Sequence, residues 1–160
     1  MIFAGTSKAD VHWQCLSFDQ LDTHSLYRLL QLRTQVFVVE QNCPYQDIDG
    51  KDFDAWHLLG YQAGELVAVA RILPPPQAGA AASIGRVITH PDARGQGLGY
   101  RLMQRAVEET EKRFPDSPMC LDAQAHLASF YRRSGFFPAG EIYLEDGIEH
   151  LMMVRRLPAD

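Results

Sequence analysis

The chain has 160 residues, 46% hydrophobic and 22% charged, a balance that suits one folded domain and excludes a disordered tail or a fibre. Its formal charge of -5 at pH 7 argues against a nucleic-acid partner, whose phosphates call for a basic face. The widely spaced Cys15, Cys43 and Cys120 make no C-x-x-C pair and predict a reducing, cytoplasmic setting, while the opening residues hold no apolar run that would suggest export or a membrane partner.

In chain order, Val11 to Ser17 reads as a first strand, and Ser17, Asp19 and Thr23 offer caps for a first helix. Its stripe, Leu26, Leu29, Leu30, Val36 and Phe37, carries Arg33 at i+7, where a charge needs a partner or a pocket. From Glu40 to Asp54 the aspartates 47, 49, 52 and 54, with Gly50 and Asn42-Cys43-Pro44, predict a long loop. Trp56 to Tyr61 and Leu66 to Leu73 read as antiparallel strands about a Gln62-Ala63-Gly64-Glu65 turn, and Pro74-Pro75-Pro76 separates them from a fourth strand, Ser83 to Thr89.

After Pro91 the period changes. Leu98, Leu102, Ala106, Thr110 and Phe114 recur every four residues, and Glu108 with Lys112 and Glu109 with Arg113 are i, i+4 pairs of a long helix stopped by Pro115. Met119 to Ala123 then reads as a strand, Ala125 to Ser134 as a helix ended by Gly135, and Ile142 to Leu144 with His150 to Val154 as a hairpin turning on Asp146-Gly147.

The chemistry concentrates between Val87 and Tyr100, where a strand end runs through His90-Pro91-Asp92-Ala93-Arg94-Gly95-Gln96-Gly97-Leu98-Gly99 into the long helix. Glycines let a backbone approach phosphate closely, and the free N–H groups at a helix start point at an anion. Counting from Gly95, a dinucleotide fingerprint would need glycine at Tyr100, and a Walker loop would need a lysine that is absent here. What remains is Arg-x-x-Gly-x-Gly, formed by Arg94, Gly97 and Gly99.

This motif resembles the coenzyme A pyrophosphate loop of the GNAT N-acetyltransferase superfamily, and Gln124-x-x-Leu127-x-x-Phe130-Tyr131-x-x-x-Gly135-Phe136 resembles its second motif. The segment from Phe37 to Gly50, with Ala123 to Leu127, is similar to the ElaA-like branch, so that the resemblance spans about residues 11 to 157. Gln124 and Leu127 depart from the Asn and Ala common in the superfamily. The resemblance implies a single α/β (α+β) domain over residues 1–160, with a mixed, mostly antiparallel central sheet flanked by helices and a coenzyme A cleft after the fourth strand.

It further implies that acetyl-CoA is the acyl donor, with no metal, and that a small-molecule or peptide amine attacks it directly in a ternary complex. Val87, Ile88 and Thr89 would pair with the pantetheine arm through main-chain groups, Arg94, Gly95, Gln96, Gly97, Leu98, Gly99 and Tyr100 would hold the pyrophosphate, and Gln124 would lie beside the cofactor. Tyr131 is the expected general acid, since a phenol with a pKa of about 10 is protonated at neutral pH. For the base, Glu40, His57, His126, Glu149 and His150 stay open, as does a water chain.

Arg33 and Arg86 are expected either to form structural ion pairs with Asp47, Asp49 or Asp52 or to meet an acidic group of the substrate. Calcium is not expected in the aspartate loop, because Lys51 follows Asp49 and position 58 is Leu58. A nucleophilic Cys43 or Cys120 has no histidine at a defensible spacing. A non-catalytic acyl-CoA-binding or protein-interaction module is the alternative function. Arg33-x-x-Val36-Phe37 also loosely resembles acyl-homoserine lactone synthases, and either a monomer or a homodimer is compatible with the sequence.

Overall fold

The computed structural model describes residues 10–159. Strand β1 (His12–Ser17) leads through a capped 3-10 turn, Phe18–Gln20, to helix α1 (Thr23–Arg33), where the Asp22 carboxylate accepts from the Ser25 amide at 2.6 Å. That contact satisfies one of the amides orphaned at a helix start.

Beyond Arg33 the helix widens instead of ending. Thr34–Glu40 is a π-helical segment, its i to i−5 pattern carried by Gln41 N–H to the Val36 carbonyl and Cys43 N–H to that of Val38. The predicted stripe therefore runs through two helical geometries; of its members Leu29, Arg33 and Val36 are buried, and Leu32, which the stripe did not include, is buried with them. The expected loop begins after the π segment and closes on a 3-10 turn, Lys51–Asp54.

β2 (Trp56–Gln62) and β3 (Glu65–Leu73) form the predicted hairpin, with Ala63 and Gly64 both at positive φ, the geometry of a two-residue primed turn. β4 (Ala82–Thr89) follows the proline run, and α2 (Leu98–Arg113) packs on β3 and β4 with Leu98, Leu102, Ala106 and Thr110 buried. The Glu109 pair with Arg113 is present, but Lys112 approaches Glu109 at 3.9 Å and Glu108 approaches Arg105 at 3.7 Å, so the expected Glu108–Lys112 pair is not formed. Arg113 also lies 4.1 Å over the Trp56 ring, a tertiary contact that no helical periodicity reports.

After β5 (Met119–Gln124) the predicted single helix is two pieces, a 3-10 turn at Ala125–Leu127 and α3 (Ala128–Arg132), because Leu127 leaves the helical region at φ -99, ψ 6. A two-residue strand β6 (Phe137–Pro138) was not expected; it exists by pairing with the closing strand rather than by its own pattern. β7 (Tyr143–Glu145) and β8 (Ile148–Arg155) complete the hairpin about Asp146 and Gly147, both at positive φ.

All eight strands join in one sheet of order β1-β2-β3-β4-β5-β8-β6, with β7 on β8. Every pairing is antiparallel except β4 with β5. Helices α2 and α3 cover the larger core, including Leu102, Met103, Phe136 and Met153, while α1 and its π extension cover Val69 and Ile88 on the opposite face. No helix among the described residues is long and apolar enough to cross a membrane.

Candidate active site

The parallel strands β4 and β5 pair only at Ala82 with Met119 and Ser83 with Cys120, and then separate. A bulge accompanies the parting: Val69 and Arg71 on β3 face Ile88 and Gly85, so β4 carries one extra residue there, and Arg86 takes φ 50. A bulge increases twist and ends pairing, while the left-handed backbone costs a residue with a Cβ about 1–2 kcal/mol. Arg86 is held by Nε donating to Asp47 Oδ1 at 2.7 Å and Nη2 donating to the Asp47 carbonyl at 3.0 Å, with the Tyr45 and Phe37 rings 5.8 and 6.0 Å from its guanidinium.

The separation opens a cleft of about 810 Å³, lined by Phe37 and Glu40 from one face of the sheet and by Leu102 and Tyr131 from the other. His90 N–H donates to the Val67 carbonyl at 2.7 Å. Since antiparallel strands alternate, the main-chain groups of Ile88 then face β3 and those of Val87 and Thr89 face the open cleft. An extended ligand could pair with that edge as an added strand.

At the end of β4 the loop turns through a 3-10 segment, Pro91–Ala93, and enters α2 by way of Gly95 and Gly97 at φ 83 and 71. A Cβ at either glycine would meet nothing within 4 Å, so these positions require glycine for their backbone angles and leave room for an approaching group. Gly99 is glycine for a different reason: a Cβ there would meet the Phe130 ring at 3.2 Å. Gly97 caps α2 with no side-chain bond, leaving the first amides open to an anion. Leu98 buries its side chain and offers only its amide, Gln96 donates to the Ala93 carbonyl at 3.2 Å, and Tyr100 is packed between Phe130 and Arg133. The loop thus fits a pyrophosphate through main-chain donors.

The Arg94 side chain is engaged within the protein. Its guanidinium forms a two-point pair with the Glu40 carboxylate and donates from Nη2 to the Thr89 carbonyl at 3.3 Å. The Arg94 hydrogen bond holds the Glu40 carboxyl below the ordinary range. A second contact ties the end of the π segment to β5, with Gln124 Nε2 donating to Gln41 Oε1 at 3.3 Å.

Tyr131, only 8% exposed, lines the cleft from α3 with its ring edge-on to Phe130. Burial pushes its phenol up to about 12, keeping it a proton donor through the alkaline range. Cys120 and Cys43 also line the cleft. Burial and then the Asp122 charge raise the Cys120 thiol, the opposite of what a nucleophile needs.

The aspartate loop is fastened by three arginines. Arg33, 1% exposed, donates from Nε to Asp47 at 2.9 Å and from Nη1 and Nη2 to Asp52 at 2.7 and 3.2 Å. Arg71 pairs with Asp49 and Asp52, and Arg86 with Asp47 and Asp49. Burial pushes the Asp49 and Asp52 carboxyls up, but the arginines outweigh it and both lie below the ordinary value. The structural ion pairs anticipated for Arg33 and Arg86 are therefore present.

Among the possible bases, His57 is fully buried with Nε2 2.9 Å from the Asp52 carbonyl, which removes it from any substrate. Glu40 is occupied by Arg94. His126 and His150 both line the cleft, together with Asp122 and Glu145, two carboxylates that sequence reasoning did not single out because only the sheet brings them there. Among the described residues no cluster of three His, Cys, Asp or Glu is placed to hold a metal.

Comparison with known proteins agrees with this architecture. The acetyltransferase (GNAT) domain model matches residues 19–157. Protein ElaA of Escherichia coli is 49% identical over 149 residues, which cover 92% of this chain and 97% of that protein, and its crystal structure superposes with a TM-score of 0.87. An acyl-CoA N-acyltransferase from Pseudomonas aeruginosa is 47% identical with a TM-score of 0.87, covering 92% of this chain and all of that one. The fold alone is shared, at 13% identity and a TM-score of 0.65, with a GNAT family acetyltransferase from Elizabethkingia anophelis with acetyl-CoA bound, over 94% of this chain and all of that one.

Proposed function

The chain belongs to the GNAT acetyltransferase family, and on that premise we propose that it moves an acetyl group from acetyl-CoA to a primary amine by direct attack in a ternary complex. The observation that carries this reading is the separation of β4 from β5 beside an uncapped, glycine-lined start of α2, with the buried Tyr131 phenol in the same cleft. The edge of Val87 and Thr89 suits the amide groups of the pantetheine arm, and the amides from Gly95 to Tyr100 suit the pyrophosphate.

Five events then balance the reaction. The acceptor ammonium first loses a proton. Its nitrogen lone pair forms the new C–N bond, and the C–S pair leaves on sulfur. Tyr131 passes its phenol proton to that sulfur, and the second proton shed by nitrogen restores the phenol. Three unpaired thiols, Cys15, Cys43 and Cys120, suit a cytoplasmic setting for this chemistry.

Calorimetric titration with acetyl-CoA tests the cofactor site, run beside an Arg94→Ala, Gly97→Trp double variant; a release assay for free thiol over a panel of primary amines follows. Binding to the parent but not the variant, with thiol release on amine addition, is the expected result. Tight binding with no transfer to any amine would favour the non-catalytic acyl-CoA-binding module, and no binding at all would mean that the glycine loop does not serve coenzyme A.

A further inference from the structure

His150 sits at the wide end of the cleft. It is the register partner of Gln124, the last residue of β5, at the level where β4 has already turned away. Its side chain is 14% exposed and lines the cavity that also holds Tyr131. Its Nδ1 lies 2.8 Å from the Ile148 carbonyl oxygen. A carbonyl has no proton to give, so this contact requires the proton on Nδ1, and the neutral ring then carries its lone pair on Nε2.

The surroundings of that lone pair suit a proton acceptor. Glu145 Oε2 on β7 is 4.0 Å from Nε2, close enough to stabilise the charge that a captured proton creates, and its side chain is 57% exposed. The Tyr143 ring, also from β7, stacks on the imidazole with centroids 6.0 Å apart. Burial, then a hydrogen bond to Asp122 on β5, pushes the Tyr143 phenol up to about 12, so it remains a donor to Asp122. The register partner of His150 on β5, Gln124, is neutral, and the titratable groups that share the cleft with it include Asp122 on β5, Asp146 at the β7–β8 turn and His126 on the 3-10 turn that packs against β8.

We infer that His150 is the catalytic base of the acceptor side: Nε2 takes the proton of the acceptor ammonium, Glu145 stabilises the resulting imidazolium and passes the proton to water, and Tyr143 fixes the ring plane. The inference rests on the acyl-transfer reading above. The N–H bond of the ammonium breaks with its electron pair left on nitrogen, the proton joins Nε2, and it leaves to solvent through Glu145. His150 and Tyr131 thereby divide the work, one removing a proton before attack and the other supplying one to the departing sulfur.

The test has an acceptor-independent arm and a kinetic arm. Long-range proton–nitrogen spectra of the wild-type protein, with the resonance assigned by its loss in His150→Gln, are expected to show the Nδ1-protonated tautomer; protonation of the neutral ring on Nε2 overturns the assignment. With an amine found by the thiol-release panel, His150→Gln is expected to lower kcat/KM for the amine about 10²–10⁴-fold and to remove the ascending limb of the pH profile, with acetyl-CoA affinity unchanged by calorimetry. Glu145→Gln, which keeps the imidazole and removes the carboxylate 4.0 Å from Nε2, is expected to lower kcat/KM for the amine with acetyl-CoA affinity unchanged. Amine turnover whose rate and pH profile are indifferent to His150→Gln overturns this inference alone. A wild-type protein that binds acetyl-CoA yet acetylates no amine overturns the transfer reading and this inference with it.

Discussion

Arg94 and Glu40 form a two-point ion pair that ties the end of the π segment to the glycine loop, with each side chain about 40% exposed. The cation expected to meet a pyrophosphate therefore starts on an internal carboxylate. Binding of the cofactor through Arg94 must exchange one anion for the other, and the cost is that of a half-exposed pair.

That exchange sets a prediction. Half-exposed ion pairs contribute about 0.2–1 kcal/mol, so Glu40→Gln should tighten acetyl-CoA binding by up to about 5-fold, measured by calorimetry at low salt. Tighter binding of the variant means that Glu40 competes for Arg94; weaker binding means that Glu40 instead positions Arg94 for the phosphate.

Tyr131→Phe removes one oxygen from a nearly buried ring and leaves the packing against Phe130 in place. Acetyl-CoA affinity should be unchanged and kcat should fall about 10²–10⁴-fold, the usual worth of a general acid. Since burial pushes this phenol up to about 12, the wild-type profile should show no loss of the acid form below that pH. A turnover that survives the substitution would take Tyr131 out of the proton path.

Arg33→Met leaves the Asp47 and Asp52 carboxylates buried without the guanidinium that joins them. Removing one partner of a buried pair costs about 3–5 kcal/mol, roughly a 10 °C fall in Tm for a chain of this size. Thermal unfolding at pH 7 checks this.

The same network sets the acid dependence. Asp49 and Asp52 titrate below their ordinary value in the folded chain, so their stabilisation is present above about pH 4, the unfolded carboxylate value, and is lost as pH falls through the lower folded values. Wild-type Tm should drop between pH 5 and 2, and Asp52→Asn should flatten that drop; an equally steep fall in the variant would assign acid lability elsewhere.

The sequence by itself determined what depends on near neighbours. The four-residue recurrence of Leu98, Leu102, Ala106 and Thr110 specifies α2, and Gly95 and Gly97 mark a tight turn into it because positive φ is a property of a single residue. A charge at Arg33 on an apolar stripe announces that a partner exists, since a buried unpaired charge is too costly. Tertiary structure alone decided what lies across long stretches of chain: which aspartates meet Arg33, that Arg86 bulges β4 where it leaves β5, that Arg94 lies on Glu40, and that Asp122, Glu145 and His150 share the wall of one cleft. Those arrangements come from strand register and helix docking, whose energies are sums over contacts between residues far apart in the chain. No local pattern of side chains carries that sum, which is why five possible bases looked alike until the sheet enclosed His57 and set His150 beside the opening.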